Sequence, residues 1–316
     1  MARLRFGLVG TGYWALHTHG TALASSPDAE LVGVWGRDLA KVAGIAQHLG
    51  AKGYADYDEL LGDVEAVAVA VPPDVQADLA ARAARAGRHL LLEKPLALSV
   101  QKAEALVAAV DQAGVACLVF VTSRFRPEID EWLRAASQAG PWHSAHLVHY
   151  ASIFQAGNPY STSQWRREHG ALWDIGPHAL GSVVPLLGPV RSVTARQGPT
   201  GSDTVHLLLG HSVGDHGKAT GDEDALGPVS TVSLSLTMPQ AATTSQLVLY
   251  GAQGVRLRPE GHFEAADALR NALRSLRHLV ESGERRHPCD PWSALADVRV
   301  LSAARSSAAS GATVSL

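Results

Sequence analysis

Two groups of residues along this chain have the types and spacing that chemistry needs. In Leu90-Leu91-Leu92-Glu93-Lys94-Pro95, Lys94 sits at the carboxyl end of an apolar run, the edge at which open α/β sheets bind ligands. An ammonium held there can donate to an oxygen on which negative charge develops. Only five of the 27 basic residues are lysines, so lysine here runs against the chain's habit of using arginine. Further on, Asp174 and His178 lie four apart, with Pro177 at a first-turn helical position between them. On a helical turn they share a face, and the carboxylate can orient an imidazole that exchanges protons near neutral pH. Taken alone, the segment His169 to His178 reads as a surface Asp/His pair.

The elements that must position these groups are legible in the first 120 residues. Apolar runs at Leu4 to Val9, Leu31 to Trp35, Val64 to Val71, His89 to Leu92 and Val115 to Val121 read as buried strands. Ala-rich segments at Trp14 to Ser25, Leu39 to Leu49, Val75 to Ala86 and Val100 to Ala113 read as the helices between them, two closed by Gly87 and Gly114. Buried strands alternating with helices predict a doubly wound parallel sheet. Gly10-x-Gly12-x-x-Ala15 follows the first strand and opens the first helix, the context in which this spacing cradles a dinucleotide pyrophosphate. His17 and His19 in the same helix read as packing or surface residues. The second strand ends Trp35-Gly36-Arg37-Asp38, with glycine where a ribose-binding acid would stand and then a guanidinium that can pair a 2′-phosphate. This favours NADP over NAD. The bland alternative makes Arg37 a solvated residue and Asp38 a helix cap.

A length of 316 residues predicts two domains, set at 1–122 for the nucleotide-binding part and 123–316 for a substrate-binding and oligomerisation part. The rhythm changes near residue 122, with strand-like stretches near 142–153, 190–198, 203–210, 229–238 and 244–258 that suggest a mainly antiparallel sheet. Helices are expected near 263–282 and 291–310 and a polar loop over 211–228. A net charge of −3 offers no basic excess for nucleic acid. No apolar stretch has membrane-spanning length and the start runs directly into a strand, so a cytoplasmic protein without membrane contact is expected. Cys117 and Cys289 read as free thiols. His143, His146 and His149 make a poor metal site, because strand alternation sends His146 to the opposite face.

The glycine fingerprint, Glu93-Lys94-Pro95, Arg124-Phe125-Arg126-Pro127, Trp165-Arg166 and Asp174-x-x-x-His178 occur in one order, and with them the whole chain resembles the glucose-fructose oxidoreductase, inositol dehydrogenase and rhizopine-catabolism (Gfo/Idh/MocA) family. The resemblance implies a Rossmann domain followed by an α/β domain on a large open sheet, used in homodimers or homotetramers. It implies that Lys94, Asp174 and His178 are catalytic in hydride transfer between a nicotinamide and the hydroxyl or keto carbon of a sugar, cyclitol or polyol. The candidate cofactor contacts are Gly10, Gly12, Tyr13, Trp14, Ala15, Arg37, Pro72, Glu93 and Lys94. Arg124, Tyr150, Trp165 and Arg166 join the catalytic residues as candidate substrate contacts. Gln76 stands where the family often has histidine, so a minor cofactor or substrate contact should differ there; Thr122-Ser123 replace a polar-aromatic pair and Gly181 an aspartate, departures that leave the substrate unnamed. The competing function is a catalytically silent nucleotide-binding sensor of the same fold.

Overall fold

A computed structural model describes residues 3–212, 227–261 and 264–316, so most of the expected 211–228 loop lies outside the described residues. The chain divides into two compact units, Met1–Arg126 with His262–Val298, and Pro127–Gly261 with Arg299–Leu316. No described helix is long and apolar enough to cross a membrane.

The first unit is built on β1 (Leu4–Val9), β2 (Ala29–Trp35), β3 (Lys52–Tyr54), β4 (Ala66–Val69), β5 (His89–Glu93) and β6 (Cys117–Phe120). They lie in the order β3-β2-β1-β4-β5-β6, and every pairing is parallel. This is the doubly wound arrangement that the buried runs predicted, with its topological switch point between β1 and β4. Helix Leu39–Leu49 starts where Asp38 accepts a hydrogen bond from the Lys41 N–H and ends at left-handed Gly50. The three-residue β3 and the short helix Tyr57–Asp63 show no period in the sequence and were not expected.

The single boundary expected at 122/123 misses a return of the chain. Helix Ala265–Ser282 puts Leu269, Leu273 and Leu276 among Phe6, Leu8, Leu91, Leu118 and Phe120 in the core of the first unit. An apolar stripe at three- and four-residue intervals shows that the helix needs a partner, but not which sheet supplies it.

The second unit carries β7 (Trp142–Tyr150), β8 (Val190–Gln197), β9 (Val205–His211), β10 (Val229–Ser235), β11 (Thr244–Gly251), β12 (Gly254–Leu257) and β13 (Val314–Ser315). Their order is β12-β11-β7-β10-β9-β8-β13, antiparallel except for the β7/β10 pair. Along β9, Val205, Leu207 and Leu209 are buried while His206 and Leu208 face outward, the alternation of a sheet covered on one side. Helices Gln164–Asp174 and Gly176–Leu187 pack against the sheet at β10, the second also at β7. Together with Pro127–Gln138 they make this unit richer in helix than the sequence suggested.

Candidate functional site

The fingerprint turn leaves β1 at the switch point. Gly10 has φ +134°, and a Cβ there would stand 2.3 Å from the Ala70 carbonyl oxygen after β4, so only glycine fits. At Gly12 the Cβ position has no neighbour within 4 Å, leaving a gap into which a pyrophosphate can approach the backbone. Ala15 is fully buried, and no side chain caps the helical segment that begins there. These features fit a bound dinucleotide. At Gly36 a Cβ would meet Thr11 Cγ2 at 2.7 Å, so the position usual for the ribose acid has no room for one unless Thr11 moves. Arg37 next to it is exposed, while Asp38 is taken up by its helix cap. Tyr13 is half exposed beside the exposed His17 ring, and Pro72 is exposed at the start of helix Pro73–Arg85.

Lys94 follows β5 on the same sheet edge, with a cis peptide bond to Pro95. Its neighbour Glu93 is buried and turned inward: Oε1 accepts from Trp14 Nε1 at 2.6 Å and pairs with His19 Nε2 at 2.8 Å, and Oε2 accepts from the Lys94 N–H at 3.2 Å. His19 is fully buried, and its Nδ1 has no hydrogen-bond partner. Trp14 and His19 reach one oxygen because Ala15–Gly20 is a π-helical turn. In an α-helix, residues five apart would diverge by roughly 140°. Gln76, expected as an altered cofactor or substrate contact, is instead fully buried and clamps the backbone here. Its Nε2 donates to the carbonyls of Glu93 (2.6 Å) and Pro95 (3.0 Å), and its Oε1 accepts from the Glu93 N–H (2.9 Å).

In the second unit, Ile175 keeps right-handed helical angles between the two helices, and the bonds Ile175 N–H to Ala171 O and Ala179 N–H to Ile175 O continue across it. Asp174 and His178 therefore keep the shared face their spacing implied. Asp174 is buried and has a further partner that spacing could not show: Arg166 Nε donates to its Oδ2 at 2.9 Å. That guanidinium also lies 4.5 Å from the ring centres of Tyr160 and Trp165, both cation–π distances. Of the proposed substrate contacts, Arg166 and Trp165 thus stand together beside Asp174. Tyr150 ends β7 opposite Ser235 and Thr244 and is partly buried, as is Arg124 within the short 3₁₀ turn Thr122–Phe125 of the first unit. His146 lies on the outer sheet face with Nδ1 2.5 Å from Thr231 Oγ1. Cys117 and Cys289 are buried and are not joined in a disulfide. Sequence reading took His19 for packing and gave Asp203 no role. Asp203 accepts hydrogen bonds from two distant segments, Ala171 and Ser235 to Thr237, an arrangement no local motif announces.

Comparison with known proteins agrees with this geometry. Residues 4–121 match the model of the oxidoreductase family with an NAD-binding Rossmann fold. An uncharacterized oxidoreductase of Rhizobium meliloti is 36% identical over 134 residues, 42% of this chain and 40% of its own length. Inositol 2-dehydrogenase of Rhizobium meliloti (strain 1021) is 30% identical over 217 residues, 68% of this chain and 62% of its own. The chain thus spans less than two thirds of these relatives. The crystal structure of GenD2 from gentamicin A biosynthesis, in complex with NAD, superposes with a TM-score of 0.81 at 24% identity, covering 100% of this chain and 97% of that one, a likeness of fold. Residues 4–121 thus carry the nucleotide-binding domain of the Gfo/Idh/MocA oxidoreductase family.

Proposed function

We propose that the protein is an NAD(P)-dependent dehydrogenase or reductase acting on the hydroxyl or keto carbon of a sugar, cyclitol or related polyol. The observation that carries this reading is the sheet edge of the first unit, where an open glycine turn after β1 and Lys94 after β5 share one side of a parallel sheet. A bound nicotinamide supplies hydride exchange. Lys94 donates to the reacting oxygen and favours its negative charge. An imidazole nitrogen of His178 takes the hydroxyl proton in oxidation and returns it in reduction, and Asp174, neutralised in part by Arg166, holds the ring's orientation. The exposed Arg37, beside a glycine where the ribose-binding acid would stand, supports NADP as the preferred cofactor.

A spectrophotometric screen of sugars, cyclitols and keto-sugars with NADPH, NADH and their oxidised forms tests substrate class and cofactor together. Turnover is expected with a polyol or its ketone, faster with the NADP pair, and Arg37→Ala should lose affinity for NADPH but not NADH. His178→Ala should lower turnover by about 10² to 10⁴ with cofactor affinity unchanged. Tight NADPH binding without turnover of any polyol would favour the silent sensor instead.

A further inference from the structure

We propose that Asp203 is a positioning residue for hydride transfer: its carboxylate fixes the start of the helical segment that carries Asp174 and His178. The proposal rests on the proton-transfer roles of those two residues given above.

Helix Gln164–Asp174 is broken at Gly170, whose φ of 63° and ψ of −165° are not helical. Ala171 therefore starts a new helical stretch, and the break takes away the i−4 carbonyl that its N–H would otherwise meet. Asp203 fills the gap from outside, with Oδ2 accepting from the Ala171 N–H at 2.9 Å. The carboxylate acts as an N-cap supplied by a different part of the chain, at the end of the helix dipole that favours negative charge. Asp174 and His178 follow within two turns, and the backbone bonds across Ile175 pass the register on to both.

The cap is itself anchored. Asp203 Oδ1 accepts from Ser235 Oγ (3.0 Å), the last residue of β10, and from Leu236 N–H (2.9 Å), Thr237 N–H (3.2 Å) and Thr237 Oγ1 (2.8 Å) just past it. A carboxylate is the group that accepts this many bonds at once, since an amide would turn one end into a donor facing donors. The approach is close on the helix side too, because a Cβ on Gly170 would stand 3.2 Å from Asp203 Cβ. The site thus refers Asp174 and His178 to the rigid sheet rather than to the surface loop before them.

The test uses the full chain, three variants and two readings. In folded Asp203→Asn, turnover of the fastest polyol in the screen should fall about tenfold to a hundredfold, the loss that a small misplacement brings, with NADPH affinity unchanged. The primary deuterium isotope effect should rise as hydride transfer becomes rate-limiting. A merely structural carboxylate would lower thermal stability and leave turnover per folded molecule and the isotope effect as they are, which would overturn the proposal. Gly170→Ala strains the same junction without removing the carboxylate, so it should show the same pattern, and it decides the matter if Asp203→Asn fails to fold. Amide hydrogen exchange needs no substrate: exchange over 171–178 should quicken at least tenfold in either variant while β8 keeps its wild-type rate, and unchanged exchange over 171–178 would count against the proposal. His178→Ala separates the two levels, because wild-type turnover in that variant removes the proton-transfer assignment itself, whereas a silent Asp203→Asn beside an inactive His178→Ala removes only the positioning role.

Discussion

Lys94 owes its direction to groups that grip the backbone on either side of it. Gln76 holds the carbonyls of Glu93 and Pro95, and the Glu93 carboxylate takes the Lys94 N–H. With the main chain so fixed, the charge and shape of the side chain become separately testable. Lys94→Met keeps much of the volume and removes the ammonium; we expect turnover to fall by about 10² to 10³ with NADPH affinity little changed. Lys94→Arg keeps the charge but changes donor geometry, and should also be poorly active. If the lysine served only a surface ion pair, the arginine variant would be silent, and steady-state kinetics beside thermal melts tell these apart. A second residue, Asp297, gives a pH signature. Burial pushes its carboxyl from 3.8 up to about 8, so between those values the folded chain binds more protons than the unfolded one. Stability contributed by this group is therefore lost as pH rises from about 4 to about 8. Melting temperatures of Asp297→Asn and wild type should nearly coincide at about pH 3, below both values, with the variant's advantage growing from about pH 4 towards pH 8. A constant difference across that range would rule out this origin.

Among the elements, those that position the nucleotide were legible in the sequence because each repeats a strong pattern. β1 and the helices Leu39–Leu49 and Val100–Ala113 fall where the apolar runs and capping residues put them. The π turn at Ala15–Gly20 was not legible, since the Glu93 carboxylate that Trp14 and His19 share lies 79 and 74 residues away in sequence. Gln76 was misread for the same reason: a substitution seen within one motif does not show that its amide reaches another. The Asp174 and His178 pair was readable from spacing, but Arg166 and Asp203 were not, because their partners lie outside any helical period. Gln76→Leu tests the clamp. It leaves the Glu93 N–H and two carbonyls without their buried partner, an unpaired group costing about 1–3 kcal/mol. Denaturant melts should show a loss of that order, and an effect below about 0.5 kcal/mol, ordinary for a surface change, would mean that water replaces the amide.

At the scale of the whole molecule, the outer face of the seven-stranded sheet exposes Leu208, Val229, Tyr250, Val255 and Leu257. We expect self-association through this face. Sedimentation should give a homodimer or homotetramer, and Leu208→Glu should shift it towards smaller species; a wild-type monomer at micromolar concentration would refute this. The return of the chain into the first unit has another consequence. Leu269, Leu273 and Leu276 are among the last third of the residues to leave a ribosome, yet they belong to the core beneath the glycine turn's own sheet. A nascent chain released as far as residue 126 has all six parallel strands but lacks one wall of that core. Domains fold as units, so the competence to bind nucleotide should arise late in synthesis, after residues 127–261 of the second unit have been made. The chain passes between the units after Arg126, after Gly261 and again after Val298, so evolution can exchange either unit only by a graft that respects three junctions.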